Sequence, residues 1–350
     1  MSKKRRKSAY LLYMSAYAFS AFMISVVLSF SLRFEETSLP TVIKNVRIFD
    51  GEKTISSGIV VIDKDKIAAA GESVSIPIKA NVIDGKDHTL LPGLIDAHVH
   101  VWDAENLKQS LAFGVTTVVD MSMNISIMTE IKKMQASGKA DDKAYLLSAG
   151  ILITAPGGHG TQLLPIPTIA RPDEAQVFVD ARIAESSDFI KIIYDDGGAY
   201  SMIYPTLDLN TITAVIKAAH RRGKTGVVHA ATLQNCTDVL KAGADGLAHL
   251  FFNDAFDPEF GRLAALKKAF VIPTLTILES LSGSSGASEL TEDIHLSPFL
   301  RPMDIQLLKQ TLPFKTSRAA YEAAEKALRQ LKENGVPILA GTDAPNSGTT

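Results

Sequence analysis

The sequence predicts an α/β fold: a TIM (β/α)8 barrel, with a small β-sheet unit ahead of it and a separate leader at the amino terminus. Three observations predict it. Apolar residues make up 46% of the 350 and charged residues 21%, enough to bury a large core and too apolar for general disorder. From residue 89 onward, eight apolar runs alternate with segments whose apolar residues fall three and four apart. Gly114, Gly138, Gly223, Gly243 and Gly335 stand just past the predicted helices, where a left-handed cap favours glycine. A doubly wound parallel sheet satisfies the same beat and stays open on these observations alone.

Residues 1–38 read as an address. Lys3, Lys4, Arg5, Arg6 and Lys7 precede an uncharged stretch from Ser8 to Leu32, closed by Arg33. Such a segment is a signal peptide or a membrane anchor. Its length suits an anchor, and the small-x-small step Ser29-Phe30-Ser31 suits cleavage. The positive-inside rule puts the body across the membrane, in the periplasm or outside the cell. The single cysteine, Cys236, is compatible with an oxidising compartment and excludes both a disulfide framework and a multi-cysteine zinc site. Beyond the basic leader the chain is net acidic, which leaves no electrostatic footprint for nucleic acid.

Residues 39–88 hold short strands with Asp/Gly punctuation. Val42 to Phe49 leads to the turn Asp50-Gly51, Gly58 to Ile62 to the turn at Asp63–Lys66, and Ile67 to Gly71 and Asn81 to Asp84 follow. The barrel, 89–350, then takes strands at 89–98, 116–122, 143–153, 189–195, 225–231, 246–251, 269–278 and 337–343. Its helices are predicted at 105–113, 125–137, 173–186, 211–222, 234–242, 257–268 and 303–334. The stretch 279–302 reads as a loop or lid after strand seven.

Chemistry collects at the strand ends. His98 and His100 lie two apart on strand one and so share a face. Strand four holds a lone lysine, Lys191, inside an apolar run, where a cation is costly to bury. A neutral lysine amine can add carbon dioxide to give an anionic carbamate able to bridge two metal ions. Strands five, six and eight end at His229, His249 and Asp343. Each alone has a plain structural reading; together they ring the one barrel rim where active sites form. His159, after strand three on the same rim, is a candidate donor to a substrate carbonyl or carboxylate, the alternative being a loop histidine among glycines. Tyr194 and Asp195-Asp196 either line the pocket or form a turn. His220, beside Arg221 and Arg222 at a helix end, reads as structural. His88 and His295 lie in loops with no partner signal, and Cys236 reads as inert helix packing.

These segments, with Val46–Gly51, Leu91–His100, Gly114–Val118, Pro156–Gly160, Asp188–Ile192, Val228–Ala230, Gly243–His249 and Gly341–Ala344 as the matching runs, resemble the amidohydrolase superfamily. The likeness is to its binuclear-metal group near the imidazolonepropionase-like and prolidase-like hydrolases, and it covers about 41–350. The resemblance implies two divalent ions, zinc foremost. His98, His100 and Asp343 would hold one, His229 and His249 the other, and carboxylated Lys191 would bridge them. It implies a metal-bridging hydroxide attacking a C–N amide-type bond in a peptide, N-acyl amino acid or lactam, with Asp343 passing the proton to the leaving amine. It also implies that 39–88 is part of a β-sandwich whose remaining strands, with the final barrel helix, would follow Thr350 and are missing. The exposed flank left behind would favour a homo-oligomer. Two other readings stay open: the same metals acting on an ester, lactone, phosphoester or deamination substrate, and a non-catalytic membrane-tethered metal-binding domain.

Overall fold

A computed structural model of the chain describes residues 39–162, 165–284, 286–313 and 316–349. The leader expected over 1–38 lies outside them. Among the described residues no helix is long and apolar enough to cross a membrane. The chain divides into two compact units after Pro92.

The first unit is one mixed sheet of β1 (Thr41–Phe49), β2 (Thr54–Asp63), β3 (Lys66–Gly71), β4 (Asn81–Asp84) and β5 (Thr89–Leu90). β1, β2 and β3 form antiparallel hairpins, while β4 and β5 add parallel to β1. The first hairpin turns where Asp50 Oδ1 accepts the N–H groups of Glu52 and Lys53 at 2.8 and 2.7 Å. Val46, Ile48 and Val60 make its core. The described residues supply one sheet here and not the two of a sandwich. The strand expected over 89–98 is also cut in two. Thr89–Leu90 pairs within this unit, and Pro92, which has no N–H, interrupts the ladder. Gly93 then lets the backbone pass Thr116, whose hydroxyl would lie 2.2 Å from a Cβ at that position.

The second unit carries two parallel sheets. β6 (Leu94–Val99), β7 (Val115–Asp120) and β8 (Tyr145–Ser148) form one; β9 (Ile190–Tyr194), β10 (Gly226–Ala230), β11 (Gly246–Leu247) and β12 (Phe270–Val271) form the other. Backbone bonds link them on both sides. Asp188 N–H donates to Ser148 O at 2.8 Å, and Ile153 bridges Ile192. On the far side Val271 bridges Ile338, Val99 bridges Ala344, and Ala97 N–H donates to Ala340 O at 2.8 Å. An inner apolar cluster takes Ala97, Met121, Ala149, Phe189, Val227, Ala248 and Ile272, one residue in or beside each of the seven strands. The opposite strand faces pack on helices: Ile192, Val228, Leu247 and Val271 share a core with Ile212, Ile216, Val239, Ala324 and Leu331. Burial on both faces explains why these strands read as unbroken apolar runs.

Helices cover residues 104–112, 125–136, 175–184, 209–221, 233–242, 260–266 and 318–333, close to the predicted spans. Asp103, Asn124, Asp208, Thr232 and Ser317 cap five of them by accepting first-turn N–H groups. Gly243 closes the fifth helix with φ 101°.

Proline accounts for two departures from expectation. The strand expected over 269–278 ends at Val271; Pro273 cannot donate to a ladder, and Leu275–Leu281 is helical. The helix expected over 303–334 is two, Pro302–Leu308 and Arg318–Glu333, with Pro313 between them. Two further corrections concern segments near the site. The stretch 337–343 is hydrogen-bonded on both sides, Leu339 N–H to Val271 O at 2.9 Å and Asp343 N–H to His98 O at 2.8 Å, but it holds isolated bridges and no continuous strand. The stretch 279–302 begins inside a helix and holds two short 3₁₀ turns, Gly286–Thr291 and Ser297–Phe299.

Candidate metal centre

The side chains singled out by their strand-end positions come together in the second unit. Five imidazoles run in a row: His100 to His98, His98 to His249, His249 to His229 and His229 to His159, with ring centres 5.6, 4.4, 4.7 and 4.8 Å apart. Asp343 joins the first two, its Oδ1 lying 3.1 Å from His98 Nε2 and 3.2 Å from His100 Nε2. Ligand-type atoms of His98, His249 and Asp343 all lie within 4.8 Å of one another, as do those of His159, Asp195 and His229.

Lys191 sits on β9 in register with Val227 of β10, two residues before His229, so it shares that face of the sheet. It is buried, and its amine makes no hydrogen bond or ion pair among the described residues. Burial pushes it down to about 7, against the pull of Asp343 and Asp120. Its charge acts in turn on His98, His229 and His249.

One nitrogen of each of the four strand-end imidazoles is tied back. His98 Nδ1 donates to Ala248 O at 2.8 Å and His100 Nδ1 to Ser122 O at 3.3 Å. His249 Nδ1 pairs with Thr274 Oγ1 at 2.7 Å, and His229 Nε2 donates to Asp195 Oδ2 at 3.2 Å. Left over are Nε2 of His98, His100 and His249, and Nδ1 of His229. Metal-binding histidines are held in this way, with the second nitrogen fixed by a carbonyl, hydroxyl or carboxylate.

The electrostatics favour the neutral donor form for three of the rings, His98, His229 and His249; on His100 burial works downward too, but Asp343 outweighs it and raises that ring. Burial, then Lys191, pushes His98 down to about 4, and burial does the same to His229. Burial and the neighbouring imidazoles hold His249 well below the usual histidine range. For Asp343 burial works upward, but the surrounding imidazoles outweigh it and keep the carboxyl well below its ordinary value. His98 Nε2 and Asp343 Oδ1 are both fully buried, and neither has a hydrogen-bond partner. The two atoms lie 3.1 Å apart without hydrogen-bond geometry, and buried polar atoms left so cost free energy unless a ligand beside them completes them. A divalent cation fits this donor set of imidazole nitrogen and carboxylate oxygen.

Two residues at the site hold left-handed backbone without being glycine: Thr274 with φ 42° and Asp343 with φ 63°. Both deliver a side chain to the row. Asp96 fixes the approach of Asp343, its Oδ2 accepting Thr342 Oγ1 at 2.6 Å and its Oδ1 accepting His98 N–H at 3.0 Å.

Asp195, read from the sequence as pocket or turn, is a hub. It is buried at the end of β9, and its Oδ2 accepts from His159 Nδ1 at 2.6 Å, from His229 Nε2 and from the Tyr200 hydroxyl. Burial opposes its ionisation, but the bonds from His159 and His229 outweigh it and hold the carboxyl well below its usual range. Tyr200, Thr274 and Asp120 also belong to the site, and no spacing in the sequence points to them as a group. Asp120 is buried behind His100, accepts from Ser148 Oγ at 2.6 Å and Val101 N–H at 2.8 Å, and is pushed by burial up to about 6. The strand-end rule that picked Asp343 also picks Asp120 and Asp195. His220, in the last turn of its helix, pairs with Asp245 at 2.8 Å, and Cys236 is buried.

Comparison with known proteins bears on this centre. Among curated proteins, an adenine deaminase of Desulforamulus reducens is 34% identical over 100 residues, 27% of this chain and 17% of that protein. A dihydroorotase of Lactobacillus johnsonii is 25% identical over 270 residues, 63% of either chain. The chain thus matches less than two thirds of the length of these relatives. Among solved structures, a Xaa-Pro dipeptidase with bound methionine in the active site superposes with a TM-score of 0.68 at 23% identity, over 89% of this chain and 80% of that one. Ochratoxinase of A. niger does so at 0.64 and 17%, over 89% and 77%. At such identities the likeness is one of fold. The model of the amidohydrolase family matches residues 89–350, the span that holds every residue of the centre, and the chain belongs to that family.

Proposed function

We propose that this chain is a metal-dependent hydrolase of a C–N amide-type bond in a small molecule: a dipeptide, an N-acyl amino acid or a lactam. The observation that carries the reading is the set of tied-back imidazoles that shares one site with a buried lysine, Lys191, and with an Asp343 oxygen that lacks hydrogen-bond geometry. The inner cluster fed by seven strands, with the backbone links on both sides, supports a closed barrel around that centre. The basic cluster and uncharged run of the leader support export, with the leader either cleaved or kept as an anchor.

His98, His100 and Asp343 would hold one divalent ion, and His229 and His249 a second. Zinc suits both sets of donors. Bound there, the ions supply Lewis acidity, polarising a carbonyl and easing the deprotonation of water near neutral pH. The chain's own residues do the rest. The Lys191 amine, neutral once burial has lowered its affinity for a proton, would add to carbon dioxide and shed a proton, and the resulting carbamate would be a further anionic ligand for the ions. Asp343, through Oδ2, takes a proton from water and returns it to the leaving amine. His159 keeps Nε2 for a substrate oxygen at the rim.

A second reading, hydrolytic deamination, is favoured by the matched adenine deaminase. Turnover assays separate the two. Purified protein is offered dipeptides, N-acyl amino acids, lactams, aminopurines, lactones and phosphotriesters, with metal content measured alongside. Hydrolysis in the first three classes, lost on chelation, restored by zinc and reduced roughly 10²- to 10⁴-fold in Asp343→Asn, is the expected result. Turnover confined to another class moves the bond. Bound metal without any turnover makes the chain a metal-binding domain. Activity that survives both chelation and Asp343→Asn overturns the proposal.

A further inference from the structure

The cluster of His159, Asp195, His229 and Tyr200 calls for its own account, because its side chains meet in well-formed hydrogen bonds where His98 Nε2 and Asp343 Oδ1 do not. Asp195 is fully buried, and each of its polar groups is used. Oδ2 receives the two imidazoles and the phenol, Oδ1 receives Gly197 N–H at 2.8 Å, and its own N–H donates to Thr206 Oγ1 at 3.1 Å. A carboxylate oxygen that already accepts three donors has little left to offer an ion. The trio His159, Asp195 and His229 therefore reads as a hydrogen-bonded brace, although its atoms are close enough to chelate.

The brace joins two parts of the site that differ in exposure. His229 is buried, and with Nε2–H given to Asp195 only Nδ1 remains for the centre. The His159 side chain is 34% exposed, and with Nδ1–H given to Asp195 only Nε2 remains for a ligand. Tyr200, packed edge-on against His159 and Phe252, presses on the same oxygen from the third side. One buried carboxylate thus fixes the tautomer and the aim of an imidazole in the metal centre and of an imidazole at the substrate side.

We propose that Asp195 is the positioning residue of this site, orienting His229 toward the metal pair and His159 toward the substrate through a single oxygen. The inference rests on the hydrolase reading for what the two rings do, but not for how they are held.

The test reads the rings directly. Long-range ¹H–¹⁵N spectra of the full chain, metal-free, report which imidazole nitrogens carry hydrogen. His159 is expected to carry it on Nδ1 and His229 on Nε2, and both signals move in Asp195→Asn. The wild-type spectrum needs no variant, so a variant that fails to fold does not block the answer. Zinc affinity, read by competition with a chromogenic chelator, is expected to fall about 10- to 100-fold in Asp195→Asn at unchanged stoichiometry. With a substrate in hand, kcat falls in Asp195→Asn, and by a smaller factor when His159→Ala is already present, because only the share carried by His229 is then left to lose. Rings protonated on the opposite nitrogens overturn the proposal. So does a drop of one bound ion in His159→Ala, which would make the trio a metal site in its own right. A wild-type chain that binds no zinc defeats the hydrolase reading, and the imidazole spectra still decide the role of Asp195.

Discussion

Two clusters of the same residue types lie side by side in the row of imidazoles, and they differ in how their polar atoms are used. Around His98, His249 and Asp343, outer nitrogens are tied back, and His98 Nε2 and Asp343 Oδ1 face each other at 3.1 Å without hydrogen-bond geometry. Around His159, Asp195 and His229, donors and acceptor meet one another. Buried polar groups without partners are expensive, so a fold keeps them only where a ligand completes them. Engaged groups stabilise the fold and aim their neighbours. Histidine and aspartate counts do not distinguish the two; the direction of each hydrogen bond does.

The largest expected effect falls on the unpartnered cluster. Asp343→Asn keeps the shape but replaces one carboxylate oxygen with an amide NH2, a donor where the buried rings supply nitrogen lone pairs. Metal content is expected to drop along with the activity loss given above. Retained metal with retained activity, measured by elemental analysis and turnover, would show that the unpartnered atoms are not the ligands.

Lys191 gives the next largest effect, on stability. In the metal-free chain its amine is held down at about 7 against 10.5 for a free lysine. Between those values the unfolded chain binds the extra proton, so stability rises with pH; below about 7 both states are charged and the full cost of burial remains. That cost is on the order of 5 kcal/mol. His98 and His229, held near 4, add a slope of the same sign from about pH 4 to 6.5. Thermal unfolding of chelated protein in carbonate-free buffer should therefore show a midpoint climbing from pH 6 to 9. Lys191→Met should raise the midpoint at pH 6 and flatten the climb above pH 7. An unchanged climb would mean that the amine is solvated.

What could be read without coordinates, and what could not, follows the same division. His98, His100, Lys191, His229, His249 and Asp343 were legible because strand-end position is a property of spacing. Asp195 occupies the same kind of position, yet its role depends on which atoms face it from the loop after β8 and from β10, and spacing carries no direction. Thr274 was hidden differently. The apolar run 269–278 reads as one strand, and only the missing donor of Pro273 and the left-handed turn behind it bring a hydroxyl back onto His249. The broken helix at Pro313 was legible in principle, since proline forbids the helix interior. The apolar periodicity on either side of it masked the break.

Thr274→Val sharpens the comparison at lower amplitude. The change is nearly isosteric and keeps a β-branched residue at φ 42°, so the backbone cost is shared by both forms. What disappears is the partner of His249 Nδ1. Zinc affinity is expected to fall about tenfold, the lower end for loss of a residue that orients a ligand. An affinity within twofold of the parent would mean that packing alone aims the ring.

The smallest effect is expected at Tyr200→Phe. The hydroxyl is one of three donors to Asp195 Oδ2, and the two imidazoles remain when it is removed. The ring, and with it the packing against His159 and Phe252, is kept. A hydrogen bond to a charged acceptor contributes about 1.5 to 3 kcal/mol, and the remaining donors relax toward the vacated side, so the chain is expected to lose about 1 kcal/mol. Urea unfolding of the chelated protein measures it. Zinc affinity should stay within about threefold, because His229 keeps its partner. A larger loss of metal than of stability in this variant would mean that the phenol, and not the carboxylate, aims the ring, and the division between the two clusters would have to be redrawn around Tyr200.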